Sequence, residues 1–316
     1  MDSGGMAMVI KKAAMYALIL FLLVLWAGDA RGQEPPVADT ERLGLVLDIQ
    51  GPIGPATRDF VTRSLETASQ RDASLVIIRL DTPGGLDAST RDIVKAILNS
   101  DVPVATFVAP EGARAASAGT YILLASHVAA MSPATNVGAA TPVAIIGETP
   151  KPESKPAPDG EEGEGDEEEA AEKAGEAVNA MAQKTVNDSV AYIRGLASKH
   201  GRNADWAELA VREADSITSE KALELGVIDL IAENIGDLLA KIDGMTVEVN
   251  EREHVIATGG MVTERLEPDW RSEFLAVITS PTIAYLLLLI GVYGLILEGY
   301  NPGAIVPGVV GAICLL

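Results

Sequence analysis

The sequence predicts an α/β fold built on a largely parallel sheet. Three observations predict it. Short apolar runs begin at Leu43, Leu75 and Val102, about 30 residues apart. Each is followed by a run of helical period, the signature of βαβ crossovers. The chain has 316 residues, 48% hydrophobic and 22% charged, enough to bury a sizeable core.

The elements follow in order. Lys11 and Lys12 precede Ala13 to Ala27, 15 uncharged residues that end at Gly28-Asp29-Ala30. Residues 1–30 therefore read as a signal peptide cleaved after Ala30, or as an uncleaved N-terminal anchor. Either way the paired lysines stay inside and the chain after Gln33 is exported. Residues 31–42 are a linker. Leu43–Leu47 is a buried strand and Ala56–Ser69 a helix. Leu75–Leu80 and Ala88–Leu98 repeat the pair, and Val102–Val108 and a helix over Tyr121–Ala125 repeat it again. His127–Met131 is a short fourth strand. Ala174–His200 is one long helix with the apolar stripe Val186, Val190, Ile193 and Ala197, stopped by Gly201. Shorter helices at Asp205–Val211 and Ser219–Leu225 precede a last strand after Gly226. The compact domain spans residues 43–234.

Residues 148–176 interrupt it. They hold 12 acidic residues and 3 lysines, so −9 of the chain's −21 lies there and −12 elsewhere. Rich in Glu, Gly and Pro, this block is expected to be a disordered insertion. Residues 235–272 change character: Met245–Val249 alternates and Gly259-Gly260 marks a turn, which predicts a small β element or linker. Leu275–Leu297 is 23 residues without a charge, long enough to span a bilayer. A turn and a second apolar run from Ala304 follow. Residues 273–316 read as the start of a membrane domain cut short at Leu316.

Composition excludes several functions. The acidic balance argues against nucleic-acid binding, which needs a basic face. Cys314 is the one cysteine, so no intramolecular disulfide and no CxxC metal site can form. His127, His200 and His254 show no metal-ligand spacing. No metal and no cofactor are expected.

Two turns carry candidate chemistry. Gly112-Ala113-Arg114-Ala115-Ala116-Ser117-Ala118-Gly119-Thr120-Tyr121 lies between a strand and a helix. A serine among small residues there can present its hydroxyl, with helix-start N–H groups facing an oxyanion. Serine is equally a favoured helix N-cap. Asp81-Thr82-Pro83-Gly84-Gly85 closes the preceding strand. Its glycines allow close backbone approach and N–H groups aimed at negative charge; an ordinary Pro-Gly turn reads the same way.

A serine nucleophile needs a base. His127 lies ten residues past Ser117, at the far end of the same helix, a poor position to reach the hydroxyl. Lys184 is the other candidate. It lies opposite the Val186/Val190 stripe, on a face with Ala177, Ala180, Met181 and Ala191. A lysine held neutral serves as a base. The pattern alone favours an exposed lysine paired with Asp188 at i+4.

With these residues in view, the chain resembles the NfeD-type membrane serine proteases. The resemblance rests on Asp81-Thr82-Pro83-Gly84-Gly85, on Ala115-Ala116-Ser117-Ala118-Gly119-Thr120-Tyr121-Ile122, and on Lys184 within Gln183–Ile193. Leu297-Glu298-Gly299-Tyr300-Asn301-Pro302-Gly303 with Pro307-Gly308-Val309-Val310-Gly311 resembles the start of that family's membrane domain. The resemblance covers about residues 40–316, the acidic block aside. It implies a Clp-protease/crotonase-like superhelix of repeated ββα/βαβ units, related to signal peptide peptidase A. It implies a Ser–Lys dyad of Ser117 and Lys184, with an oxyanion hole from Ala118 N–H and one of Gly84 or Gly85. Clp-type relatives carry a histidine on a strand after the nucleophile; the equivalent position here is Ala140, which agrees with a lysine base. It further implies a dimer cleaving apolar segments near the C-terminus of stomatin-like membrane proteins. The acidic block matches nothing in the family pattern.

Two other functions compete with the endopeptidase. A non-catalytic membrane scaffold binding a stomatin-like protein would have no need of Ser117 and Lys184. A crotonase-type acyl-CoA enzyme would need a cytosolic substrate, which export disfavours.

Overall fold

The computed structural model describes Met15 and residues 42–142, 164–278, 280–300 and 305–315. The chain divides into two compact units, Met1–Glu41 and Arg42–Leu316. In the first, the described residue Met15 is helical and exposed. The rest of the expected leader and the linker before Arg42 lie outside the described residues, as do residues 143–163, which include the first part of the acidic block.

The second unit is built on six parallel strands. They are β1 (Leu43–Gln50), β2 (Leu75–Asp81), β3 (Val104–Val108), β5 (Val128–Met131), β8 (Leu230–Ile231) and β11 (Val262–Leu266), in the order β11-β1-β2-β3-β5-β8. Every neighbouring pair is parallel. β3 starts two residues later than the apolar run suggests, because Pro103 has no N–H to give a ladder.

Strand alternation splits the core in two. Leu45, Leu47 and Ile49 of β1 and Val76, Ile78 and Leu80 of β2 face one side. There they meet α1 (Pro55–Gln70), α2 (Asp87–Leu98), α3 (Ala118–Ala125), α4 (Glu164–Lys199), α5 (Ala204–Arg212) and α6 (Ser219–Glu224), through Phe60, Val61, Ile93, Ile122, Ile193 and Trp206 among others. Val46, Leu75, Ile77, Ala105 and Phe107 face the other side. They pack on α7 (Ile235–Ile242) and the hairpin β9 (Thr246–Val249) and β10 (Arg252–Val255), through Leu238, Ile242, Val247 and Val249. Each such aliphatic side chain contributes about 1.5–3 kcal/mol on burial. The exposed ion pairs at about 0–1 kcal/mol each are secondary.

A second sheet of three short strands, β4 (Arg114–Ala116), β6 (Asn136–Gly138) and β7 (Ser216–Thr218), adjoins the carboxyl ends of the parallel strands. Thr82, just past β2, bridges to Ala115 of β4. Ligands of open α/β sheets bind at this edge.

Three expectations change. The region 235–272 is not one separate β element: β9 and β10 form their own hairpin, while β11 joins the main sheet beside β1. The helix expected from Ala174 begins at Glu164, so the second half of the acidic block is helical. Glu167-Glu168-Glu169-Ala170-Ala171-Glu172-Lys173 is made of strong helix formers. The uncharged run Leu275–Leu297 is not one helix. It divides into α8 (Trp270–Ile278) and α9 (Pro281–Tyr300), because Pro281 cannot continue the helix before it. Among the described residues, Thr282–Tyr300 is the one helix long and apolar enough to cross a membrane; α10 (Ile305–Leu315) is shorter.

Candidate active site

Ser117 sits between β4 and α3, at φ 51° and ψ −110°. Positive φ is uncommon outside glycine, and this ψ lies outside the left-handed helical well. Such outliers cluster at functional sites. The neighbours hold the turn in place. Ser117 N–H donates to Gly138 O (2.9 Å) and Ser117 O accepts from Thr120 N–H (2.9 Å). Thr120 Oγ1 lies 2.9 Å from both the Ala115 and Gly138 carbonyls. Ser117 occupies the N-cap position of α3, yet its side chain makes no capping hydrogen bond. The hydroxyl is therefore not committed to the helix.

The Pro-Gly-Gly turn is brought against this serine by β4. Thr82 N–H donates to Arg114 O (2.8 Å), Ala116 N–H to Thr82 O (3.1 Å) and Arg114 N–H to Asp81 Oδ1 (3.1 Å). Gly84 adopts φ 122°, and a Cβ there would stand 2.8 Å from Ser117 Cβ. Only glycine allows that approach. Gly85 pairs with Ile53, and a Cβ on it would stand 2.1 Å from Ile53 O.

The two glycines are not equivalent donors. Gly84 N–H donates to Thr82 Oγ1 (3.1 Å). Gly85 N–H and Ala118 N–H have no hydrogen-bond partner among the described residues. Ala118 is the first residue of α3, where N–H groups are orphaned and the helix dipole is positive.

A cleft of about 600 Å³ opens here. Gly85, Leu86, Ser117, Ala118, Tyr121, Ala140, Met181, Lys184 and Ser189 are among the residues lining it. Ser117 and Lys184, 67 positions apart, thus share one cleft. Ala140, the position matched to the Clp-type histidine, is there too. Burial pushes the Tyr121 phenol up to about 12, so it stays a neutral hydroxyl.

α4 carries Lys184 on its outer face. Val190, Ile193 and Ala197 are buried, as the stripe predicts, while Ala180, Met181, Lys184 and Ala191 are exposed. Asp188 does not pair with Lys184. It is held by Arg91, whose Nη2 lies 2.6 Å from Asp188 Oδ2. Lys184 makes no ion pair among the described residues. The sequence carries no local sign of the Arg91–Asp188 pair, because the two residues are 97 positions apart.

The histidines stand apart. His127 is 6% exposed and its Nδ1 accepts from Val104 N–H (3.1 Å), beyond the opposite end of α3 from Ser117. Its ring meets His200 edge-on at 5.8 Å. Burial holds both His127 and His200 down to about 4. Among the described residues no cluster of three or more His, Cys, Asp or Glu is arranged to hold a metal ion.

Known proteins share this organisation. The family described as NfeD1b, N-terminal domain, matches residues 45–252, and the NfeD integral membrane domain matches residues 282–316. A curated relative, membrane-bound protease PH1510 of Pyrococcus horikoshii, is 37% identical over 273 residues, or 86% of this chain. The chain spans 56% of that relative's length. Among solved structures, the 1510-N membrane-bound stomatin-specific protease, as a lysine-to-alanine mutant with a substrate peptide, is similar with a TM-score of 0.61 and 34% identity, over 76% of this chain and 99% of that one. Its serine-to-alanine mutant gives a TM-score of 0.59 and 35% identity, over 72% and 99%. This chain belongs to the NfeD family, joining an NfeD1b-type N-terminal domain to the family's integral membrane domain.

Proposed function

We propose that the chain is a membrane-anchored serine endopeptidase working through a Ser117–Lys184 dyad. The observation that carries the reading is the arrangement at one cleft. A serine with no capping hydrogen bond lines one cleft with Gly85 and Ala118, whose N–H groups have no partner among the described residues. Lys184, which has no carboxylate partner among the described residues, lines it too.

The chemistry follows from those groups. Neutral Lys184 takes the hydroxyl proton as Ser117 Oγ bonds to the scissile carbonyl carbon. The tetrahedral oxyanion is met by the N–H groups of Gly85 and Ala118, each worth about 10²–10³ in rate. Gly84 serves as the turn that admits the serine. The Lys184 ammonium then protonates the departing amine, leaving an ester on Ser117. Lys184 activates a water that hydrolyses this ester and restores the free serine.

The substrate is proposed to be an apolar stretch of a stomatin-like membrane protein, and the working form a homodimer. The stomatin-specific relatives and their peptide complex support the substrate class. The parallel sheet with its short second sheet supports placement in the Clp-protease/crotonase group. Export of the catalytic domain and a multi-pass membrane part are supported by Lys11 and Lys12 before the first apolar run and by two C-terminal apolar helices.

A serine-acylating fluorophosphonate probe tests the reading. Wild type should be labelled and should cleave a peptide from a stomatin-like C-terminus. Ser117→Ala should do neither while keeping its fold. Turnover retained in purified Ser117→Ala overturns the dyad, whereas a wild type that is neither labelled nor active leaves the scaffold.

A further inference from the structure

Resting on the dyad proposed above, we infer that Arg91 is a positioning residue that keeps Lys184 free of a carboxylate partner by holding Asp188 away from it. Lys184 and Asp188 are one turn apart on α4 and line the same cleft. Residues at i and i+4 on a helix pair readily when one is basic and the other acidic. Such a pair stabilises the ammonium, the form that cannot accept a proton.

Arg91 prevents it. Its Nη2 is 2.6 Å from Asp188 Oδ2 and its Nε is 2.9 Å from Asp87 Oδ2. The guanidinium also lies 4.6 Å over the Tyr192 ring centroid, which fixes its plane. An arginine fork can hold two carboxylates at once, which an ammonium does less well.

The charges around Lys184 come from each element packed near it. α2 supplies Asp87 and Arg91, and α4 supplies Asp188. Tyr121 of α3 and Tyr192 of α4 are neutral phenols, both pushed upward with burial as the main cause. On the far flank, α5 directs Arg212 to Asn187 (3.3 Å) and to Glu208 (2.6 Å), which also binds Arg194. Among the described residues, the cleft that Lys184 lines therefore holds two carboxylates and one guanidinium. Removing the guanidinium leaves both carboxylates to the lysine.

The test is the pH dependence of kcat/KM, measured on the full membrane-bound chain at low ionic strength. Arg91→Gln should move the rise of activity to higher pH by roughly half to one unit, a loss of about three- to tenfold at neutral pH. Asp188→Asn should not move it upward. Arg91→Gln with Asp188→Asn should bring the midpoint most of the way back toward the wild-type value, Asp87 remaining, and Arg91→Lys should recover part of the shift. About 1 M salt should shrink the difference, because these groups are partly exposed. An unmoved midpoint in Arg91→Gln overturns the inference. So does an upward shift in Asp188→Asn equal to that of Arg91→Gln, which would make the contact a tether for α4. Lys184→Arg separates the layers. If it is active, the dyad itself fails. If it is inactive while the Arg91→Gln midpoint stays put, only the role of Arg91 fails.

Discussion

Ser117 and the glycines beside it depend on atoms that are missing as much as on atoms present. A methyl group on Gly85 would stand 2.1 Å from Ile53 O and would force the turn outward, taking its N–H with it. Gly85→Ala is expected to lower kcat by about 10²–10³, the usual cost of one oxyanion donor. Peptide turnover with circular dichroism as a fold control checks this; near-normal kcat would clear Gly85 of the role. Which glycine N–H is unengaged was not legible in the sequence, because it turns on the rotamer of Thr82. His127 and His200 give a second residue-scale prediction. Both are held near 4 in the fold, below the ordinary 6.5. The unfolded chain therefore binds more protons between those values, so stability is full above about pH 6.5 and falls as pH drops toward 4. His127→Asn keeps an acceptor for Val104 N–H and should flatten that acid limb. Urea midpoints from pH 4 to 7 measure it; an unchanged slope would remove His127 from the account.

α3 is held at both ends, and this explains how a short helix can aim Ser117. Arg202, with a side chain 2% exposed, donates to the carbonyls of Leu124 (3.0 Å) and Ser126 (2.9 Å) at the helix C-terminus. It also pairs with Asp229 at 2.7 Å, and Asp229 in turn accepts Ala129 N–H. A cation at a helix C-terminus complements the dipole. Arg202→Met leaves Asp229 unpaired and several carbonyls without a donor, so it should cost about 3–5 kcal/mol of stability. Adding Asp229→Leu should recover part of that loss, as chemical denaturation would show. A single-mutant loss below 1 kcal/mol would mean that water replaces the guanidinium. The sequence revealed β1, β2, β3 and the helices between them because their periods of 2 and 3.6 are sustained over many residues. It did not reveal β4, β6 and β7, since three residues carry no period. Nor did it reveal that Val262–Leu266 extends the main sheet, because pairing with Leu43–Leu47 is fixed by contacts about 220 residues away. The Asp188 partner was misread for the same reason: Lys184 is four residues off, whereas Arg91 reaches it only once α2 and α4 are packed.

At the scale of the whole molecule, the composition of the acidic block marks it as an expected addition to the fold: residues 148–176 hold 12 acidic residues and 3 lysines. Pro142 and Met181, which flank the block in sequence, both line the cleft of the candidate active site. Among the α4 side chains that are described, Val186 and Val190 are the first to meet the core, whereas Ala180 to Thr185 are all exposed. The block is rich in Glu, Gly and Pro and has almost no bulky apolar side chains, so removing residues 148–176 is expected to take away little apolar burial, the dominant favourable term in folding. The deletion also removes a net −9 from a chain of −21, which relieves self-repulsion and offsets any small loss. The expected outcome is a Tm within about 2 °C of wild type, since 1 kcal/mol shifts Tm by about 2–4 °C in a domain of this size. Differential scanning calorimetry of the deleted and intact chains measures this directly. A fall of more than about 8 °C would mean that more than ~2 kcal/mol resides in the block. Residues before Ala180 would then have to pack on the domain, and the cleft would be bounded by them.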